Sequence, residues 1–171
     1  MNNLENSELT IDQAKCLFPI WKIITLGFYK NPINYLLALK ENVTNWAWHI
    51  MKGSTYSQTP MEVRLVCITV GELGLIKGGH TKELHAAILA QGGQLCPAEV
   101  GPALRLVYKD QPNGEKVWLA MEEALSPGGS TLQIFNLYCD DAGLFLSTGN
   151  GYRGYFWSPG DKIVFVAPVQ N

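Results

Sequence analysis

The sequence has few charged residues and no excess of either sign. Only 16% of its 171 residues are Asp, Glu, Lys or Arg, against about 25% in an average globular domain. The 13 basic and 15 acidic residues leave a formal net charge of −2. A nucleic-acid clamp needs a basic surface that neutralises phosphates, so we expect no nucleic-acid partner.

Long apolar runs and paired cysteines are also missing. No stretch of about 18 apolar residues occurs, which predicts that the chain does not span a membrane. Residues 1–10 are polar and acidic and lack the pattern of a secretory signal. The cysteines Cys16, Cys67, Cys96 and Cys139 are scattered and form no CxxC pair. We therefore expect reduced thiols and a cytoplasmic protein.

No cofactor or metal motif is complete. Residues 74–81 nearly follow GxxxxGK[ST], but His80 occupies the lysine position, and that lysine carries the charge that reaches the phosphates. Residues 149–154 match GxGxxG, but residues 155–160 cannot begin the helix that a dinucleotide requires. The histidines and cysteines lack metal-ligand spacing. We expect no cofactor and no metal ion.

The length and the apolar content predict a folded domain. Hydrophobic residues make up 47% of the chain, which excludes disorder over most of it. The turn-rich stretch 53–60 separates two parts. We expect a flexible tail at 1–9, an N-terminal αβα segment at 10–53 and a main α+β domain at 61–171. One continuous domain over 10–171 is the alternative.

Local patterns predict three to four short helices, mostly N-terminal, and five to seven strands. The expected helices cover residues 11–17, 32–40, 45–52 and 82–91. The expected strands cover residues 21–26, 63–70, 103–109, 116–122, 132–138, 143–147 and 163–167. Because a run of strands follows a few helices, the fold class is expected to be α+β with a mixed or antiparallel sheet.

Polar residues are densest around the turn at 111–114. If this turn joins two strands, Arg105 lies within reach of Trp118 and Glu122 on the neighbouring strand. One interpretation is an ordinary ion pair across the strands. The other is a carboxylate–guanidinium cleft that also includes Glu99. The candidate catalytic residues are therefore Glu99, Arg105 and Glu122.

Aromatic residues are plentiful, with five Trp, seven Tyr and six Phe. Several of them gather beside Arg153 in the glycine-rich segment 149–160. This composition suits stacking or a protein contact, and the alternative is a mobile loop folded over its own sheet. The candidate contact residues are Tyr152, Arg153, Tyr155, Phe156 and Trp157, together with Trp118 and Tyr108.

One stretch carries a resemblance to a family. Residues 95–106 read LCPAEVGPALRL, and short matches occur at 21–22, 26–27, 29–30, 71–74 and 164–166. Together they resemble a family of small uncharacterised bacterial proteins whose members are labelled hypothetical or helicase. The resemblance covers most of residues 20–168. It departs at 123–127, where the sequence reads EALSP instead of a proline and an acidic turn.

The resemblance implies a bacterial protein, and it assigns no activity from which a catalytic residue could be carried over. A helicase motor needs two nucleotide-handling lobes and a phosphate loop, and neither fits this chain. We expect a non-catalytic binding or regulatory module for a protein or a small ligand. The low charge and the aromatic content favour a protein partner or a homodimer. The alternative is a small hydrolase or transferase that acts through Glu99, Arg105 and Glu122, at least two of which would have to share one concave pocket.

Overall fold

The computed structural model describes residues 18–168, and these form a mixed seven-stranded sheet, a two-stranded ribbon and four helices. The helices are α1 (Pro32–Leu39), α2 (Asn45–Gly53), α3 (Thr81–Ala90) and α4 (Val100–Val107). The strands are β1 (Lys22–Leu26), β2 (Met61–Thr69), β3 (Gly79–His80), β4 (Lys116–Leu119), β5 (Ala124–Leu125), β6 (Leu132–Asp140), β7 (Gly143–Asn150), β8 (Phe156–Trp157) and β9 (Lys162–Val166). The α+β class and the mixed sheet are confirmed. The predicted tail 1–9 and helix 11–17 lie outside the described residues.

The strand β9 lies in the middle of the main sheet. It pairs antiparallel with β2 on one side and parallel with β4 on the other. Beyond them, β1 pairs antiparallel with β2, and β6 pairs with β4, β5 and β7. The ribbon joins β3 to β8. One cluster of buried apolar side chains runs from Ile24 to Ala167 and unites the helices with the sheet.

Side-chain caps set the starts of α1 and α2. The Asn31 side chain accepts a hydrogen bond of 3.0 Å from the Asn34 backbone N–H, and Pro32 follows it at the first helical position. The Thr44 hydroxyl accepts one of 3.3 Å from the Ala47 N–H. Each cap satisfies one N–H that the helix itself cannot pair. These local signals explain why the sequence predicts both helices correctly.

The predicted strand at 103–109 is wrong, because most of this stretch belongs to α4. Val100, Ala103 and Leu104 are buried and follow the i, i+3, i+4 spacing of a helix. Gly101 allows the close approach, because a Cβ there would lie 2.7 Å from the Phe135 ring. The predicted hairpin with 116–122 is therefore also wrong. β4 pairs with β6 and β9 instead.

The two edges of the main sheet differ. At β7, the Thr44 N–H donates to the Leu146 carbonyl at 3.0 Å, and the Leu146 N–H donates to the Asn42 carbonyl at 2.8 Å. These bonds cover the middle of that edge. β1 has a neighbouring strand on one side only, as far as residues 18–168 show. None of the four described helices is long and apolar enough to cross a membrane.

Candidate functional site

Glu99 is a buried carboxylate that joins separate segments. Its Oε1 accepts hydrogen bonds from the Gly27 backbone N–H at 2.7 Å and from the Tyr35 hydroxyl at 2.9 Å. Its Oε2 accepts one from the Ser57 N–H at 2.7 Å. Within the described part of the chain no basic side chain pairs with it. Glu99 therefore fastens the end of β1, helix α1 and the segment before β2 to the start of α4.

The tyrosines beside Glu99 remain protonated at neutral pH. Burial raises the pKa of Tyr35 well above its usual range, and the hydrogen bond to Glu99 and the carboxylate charge raise it further. Burial and the charge of Glu99 likewise raise the pKa of Tyr56. The ring centres of Tyr29 and Tyr56 lie 5.1 and 5.6 Å from that of Tyr35. The Tyr35 hydroxyl is thus held as a donor to the carboxylate.

Arg105 is almost fully buried, and its bonds lead away from Glu99. Its Nη1 donates to the Gln111 side-chain oxygen at 2.5 Å, and its Nη2 donates to the Tyr108 carbonyl. Its Nε has no hydrogen-bond partner among residues 18–168. Burial lowers the pKa of the guanidinium. Arg105 therefore fixes the chain that leaves α4 and forms no ion pair with Glu122.

Glu122 lies in a third environment. It is exposed, and its charge acts on His85 of α3. Burial lowers the pKa of His85, while Glu122 and Glu123 oppose that shift. The structure thus places Glu99 and Arg105 in separate hydrogen-bond networks and leaves Glu122 on the surface. The contact between Arg105 and Glu122 that the predicted hairpin would have produced is therefore absent from the described residues.

Tyr108 belongs to a small charged network. Its hydroxyl donates to Glu115 Oε2, and Lys162 Nζ donates to Glu115 Oε1 at 2.5 Å. Lys22 Nζ lies 4.6 Å from the centre of the Tyr108 ring. Burial raises the pKa of Tyr108, and the hydrogen bond to Glu115 raises it further. Because Tyr108 is buried, it offers little surface to a ligand and mainly holds β4 and β9 to the end of α4.

The predicted aromatic contact loop is divided between core and surface. Trp157 is 1% exposed, and its indole N–H donates to the Thr81 hydroxyl at 3.0 Å. Its ring centre lies 5.3 Å from that of Trp118 and 4.7 Å from that of Tyr155. Trp157 is therefore a core residue, and the prediction that it forms a surface contact is wrong.

The remaining loop residues differ in their exposure. Trp118 and Tyr155 are half-buried and pack against Trp157, whereas Tyr152, Arg153 and Phe156 are exposed. The Phe156 ring lies 5.4 Å from the His80 ring in an edge-on arrangement. The three exposed side chains are still available for a contact, and that role stays a prediction.

Sequence reasoning missed an apolar groove beside the edge strand. A cavity of about 480 Å³ lies between β1, the turn after it, α1 and α4. None of its lining residues is charged; they are Ile23, Ile24, Thr25, Phe28, Tyr29, Tyr35, Ala103, Leu106 and Val107. We call this cavity the β1 groove. Glu99 lies behind it and holds three of its walls together through Gly27, Tyr35 and its own position before α4.

Apolar side chains extend the exposed surface beyond the groove. Phe28 is 71% exposed and Ile23 is 54% exposed. On α1, Leu37 is 70% and Ile33 is 59% exposed, and their spacing of four residues places them on one helix face. A signal for this face was present, because residues 32–39 read PINYLLAL and are apolar on nearly every side. A helix of that kind is normally covered.

A second, larger cavity has a volume of about 590 Å³. It lies beside Met61, Arg64, Gln94 and Val166 and reaches Pro168, the last described residue. Within residues 18–168, no group of three or more His, Cys, Asp or Glu side chains could hold a metal ion.

Comparisons of the chain with family models, with curated proteins and with solved structures find no match. The resemblance to small bacterial proteins stays a prediction.

Proposed function

We propose that the chain is a non-catalytic binding module that contacts a protein through the β1 groove and the apolar face of α1. The observation that carries this proposal is the exposure of Phe28 and Ile23 in the wall of an uncharged cavity. Ile33 and Leu37 form a second exposed apolar face on α1. Contiguous apolar surface is rare on monomers and typically marks a contact. Charge depletion is also typical of interface cores.

The geometry supports binding more than catalysis. The titratable groups in the groove walls are tyrosines, and the Tyr35 hydroxyl is already engaged by Glu99. The hydrolase or transferase alternative requires at least two of Glu99, Arg105 and Glu122 to share one concave pocket. Glu99 and Arg105 are instead buried in different networks. That alternative has no support from the arrangement of the described residues.

The proposed location is the bacterial cytoplasm. Cys67, Cys96 and Cys139 are free thiols. Burial raises the pKa of Cys96, and it raises that of Cys67 to about 12, so both remain protonated at neutral pH. Free thiols fit a reducing compartment.

Photo-crosslinking in the host cell tests the proposed surface. A benzoylphenylalanine replaces Leu37 on α1, and a matched control replaces Leu89, which is 57% exposed on α3. We expect a defined crosslinked species from position 37 that is lost in Phe28→Asp, and none from position 89. Equal labelling from both positions, or none from position 37, would overturn the proposal. Mass spectrometry identifies each species.

A further inference from the structure

We propose that the occupant of the β1 groove is a second copy of this chain, with the two β1 strands paired antiparallel about a two-fold axis at Ile24. This inference rests on the proposed function, because it names the protein that the groove contacts. It differs from the expected contact through the aromatic loop. It follows from the open edge of β1, the direction of its backbone groups and the apolar residues on both sides.

The β1 backbone offers hydrogen-bonding groups to the open edge. The Ala167 N–H bonds to the Arg64 carbonyl at 2.9 Å, so Arg64 directs its backbone groups towards β9. Bonding directions alternate along a strand, so the adjacent Val63 faces β1, where it is paired with Ile24. Ile23 and Thr25 must then direct their N–H and C=O groups away from β2. An edge of this kind is a template for another strand.

This edge is complementary to itself. A two-fold axis at Ile24 places Ile23 of one copy opposite Thr25 of the other. Because both residues direct their backbone groups outward, the two pairs can exchange four hydrogen bonds. Lys22 is the one charged residue of β1, and Asp110 lies 3.5 Å from it. The same axis places Lys22 opposite Leu26, so no like charges meet.

The side chains beside the strand supply further contact area. A stable dimer removes roughly 800 Å² of surface from each partner, more than a short strand pair can cover. Ile20 and Phe28 are both exposed and both lie four residues from Ile24. Because an antiparallel pair sets the start of one strand beside the end of the other, Ile20 of one copy lies at the same end of the strand pair as Phe28 of the other. Phe28 and Val107, on the rims of the groove, add to the same patch.

The opposite edge explains why the pairing closes at two copies. The middle of β7 is already bonded to the segment around Val43. A head-to-tail pairing of β1 with β7, which would produce a filament, is therefore blocked at its centre. A symmetric β1–β1 contact uses the same patch twice and leaves no free β1 edge.

Sedimentation of the full chain tests the inference. At micromolar concentration we expect a species of about twice 18.9 kDa. In Ile23→Pro and Thr25→Pro, an outward N–H is lost while the bonds to β2 remain. We expect each variant to raise the dimer dissociation constant at least about tenfold. Phe28→Ser is a third variant that leaves the backbone unchanged. Ile76→Ser is the matched control, because Ile76 is an apolar loop residue that is 76% exposed.

Several other results would overturn the inference, and they show whether the proposed function fails with it. A monomer at every concentration overturns the inference, as does a dimer that neither the proline variants nor Phe28→Ser weakens. A crosslink from position 37 to a different protein also overturns it but leaves the proposed function standing. A crosslink from position 37 to residues 1–17 of the same chain overturns both. Circular dichroism shows whether each variant is folded.

Discussion

The Tyr35 hydroxyl donates a hydrogen bond of 2.9 Å to the Glu99 carboxylate, and both side chains are 1% exposed. The bond connects α1 to the start of α4 and so fixes two walls of the β1 groove. A buried acceptor that loses its donor cannot form a replacement hydrogen bond with water. The relationship therefore gives a stability prediction that is separate from any partner.

Tyr35→Phe should lower the free energy of unfolding by about 1–3 kcal/mol, because Glu99 Oε1 then loses one of two donors. Glu99→Ala should cost more, since it leaves the Gly27 and Ser57 N–H groups and the Tyr35 hydroxyl without an acceptor. Urea unfolding measures both values. Glu122→Ala, at an exposed carboxylate, is the control and should stay within about 0.5 kcal/mol of the wild type. Equal stability of all the variants would contradict the assigned role of Glu99.

Alkaline pH should destabilise the fold. Tyr35, Tyr56 and Tyr108 have folded-state pKa values raised from the ordinary value of 10.0. Above that value the unfolded chain has released protons that the folded chain still holds. The free energy of unfolding should then fall by about 1.4 kcal/mol per pH unit for each tyrosine, with no such loss below it. Cys67, whose pKa rises from 9.0 to about 12, acts in the same direction at lower pH.

Urea midpoints between neutral pH and about pH 11 measure this slope. Tyr35→Phe should make the decline in the free energy of unfolding shallower by about 1.4 kcal/mol per pH unit, which is the contribution of one tyrosine. Tyr152→Phe, which removes an exposed tyrosine hydroxyl, is the matched control variant. A decline as steep in Tyr35→Phe as in the wild type would show that Tyr35 ionises without unfolding.

Trp157→Ala should destabilise the monomer by about 3–5 kcal/mol, because it removes a buried ring that packs on Trp118 and Tyr155. Phe156→Ala, at the adjacent exposed position, should cost less than about 1 kcal/mol. Thermal unfolding followed by near-ultraviolet circular dichroism compares the two. A small effect at Trp157 together with a large one at Phe156 would reverse the assignment of core and surface in this loop.

Gly101→Ala should destabilise the chain although alanine favours helices. The helix preference contributes about 1 kcal/mol in favour of alanine. The new Cβ, however, would lie 2.7 Å from the Phe135 ring, and such overpacking costs about 1–3 kcal/mol. Since the helix preference is smaller than the overpacking cost, we expect chemical denaturation to show a net loss of stability. Gly160→Ala meets no atom within 4 Å and should be close to neutral. A gain in stability at Gly101 would mean that α4 can shift away from β6.

Local signals predicted much of the fold. Asn31 followed by Pro32 defines the start of α1, and the nearly continuous apolar run at 63–70 identifies the buried strand β2. α4 was missed because it is short: Leu104 and Leu106 alternate as in a strand, while Val100, Ala103 and Leu104 fit a helix equally well. Tertiary packing against Phe135 decides between the two patterns.

The site was less predictable because its contacts are distant in sequence. The sequence singled out Glu99 as a candidate catalytic carboxylate, but its partners Gly27, Tyr35 and Ser57 lie 72, 64 and 42 residues away. No spacing rule connects them. The groove likewise combines residues from Ile23 to Val107. Its one local signal was the apolar sequence of α1, from which only a helix at 32–40 was predicted.

The central position of β9 has a consequence for biosynthesis. Until the ribosome has released Lys162–Val166, β2 and β4 have no strand to join them, and the earlier strands remain as two unlinked groups. Such long-range pairing makes folding slow and leaves strand edges open in the meantime. A nonsense mutation after β7 would therefore remove the middle of the sheet rather than trim its margin. Most of the polypeptide would be made, yet none of it could complete its fold.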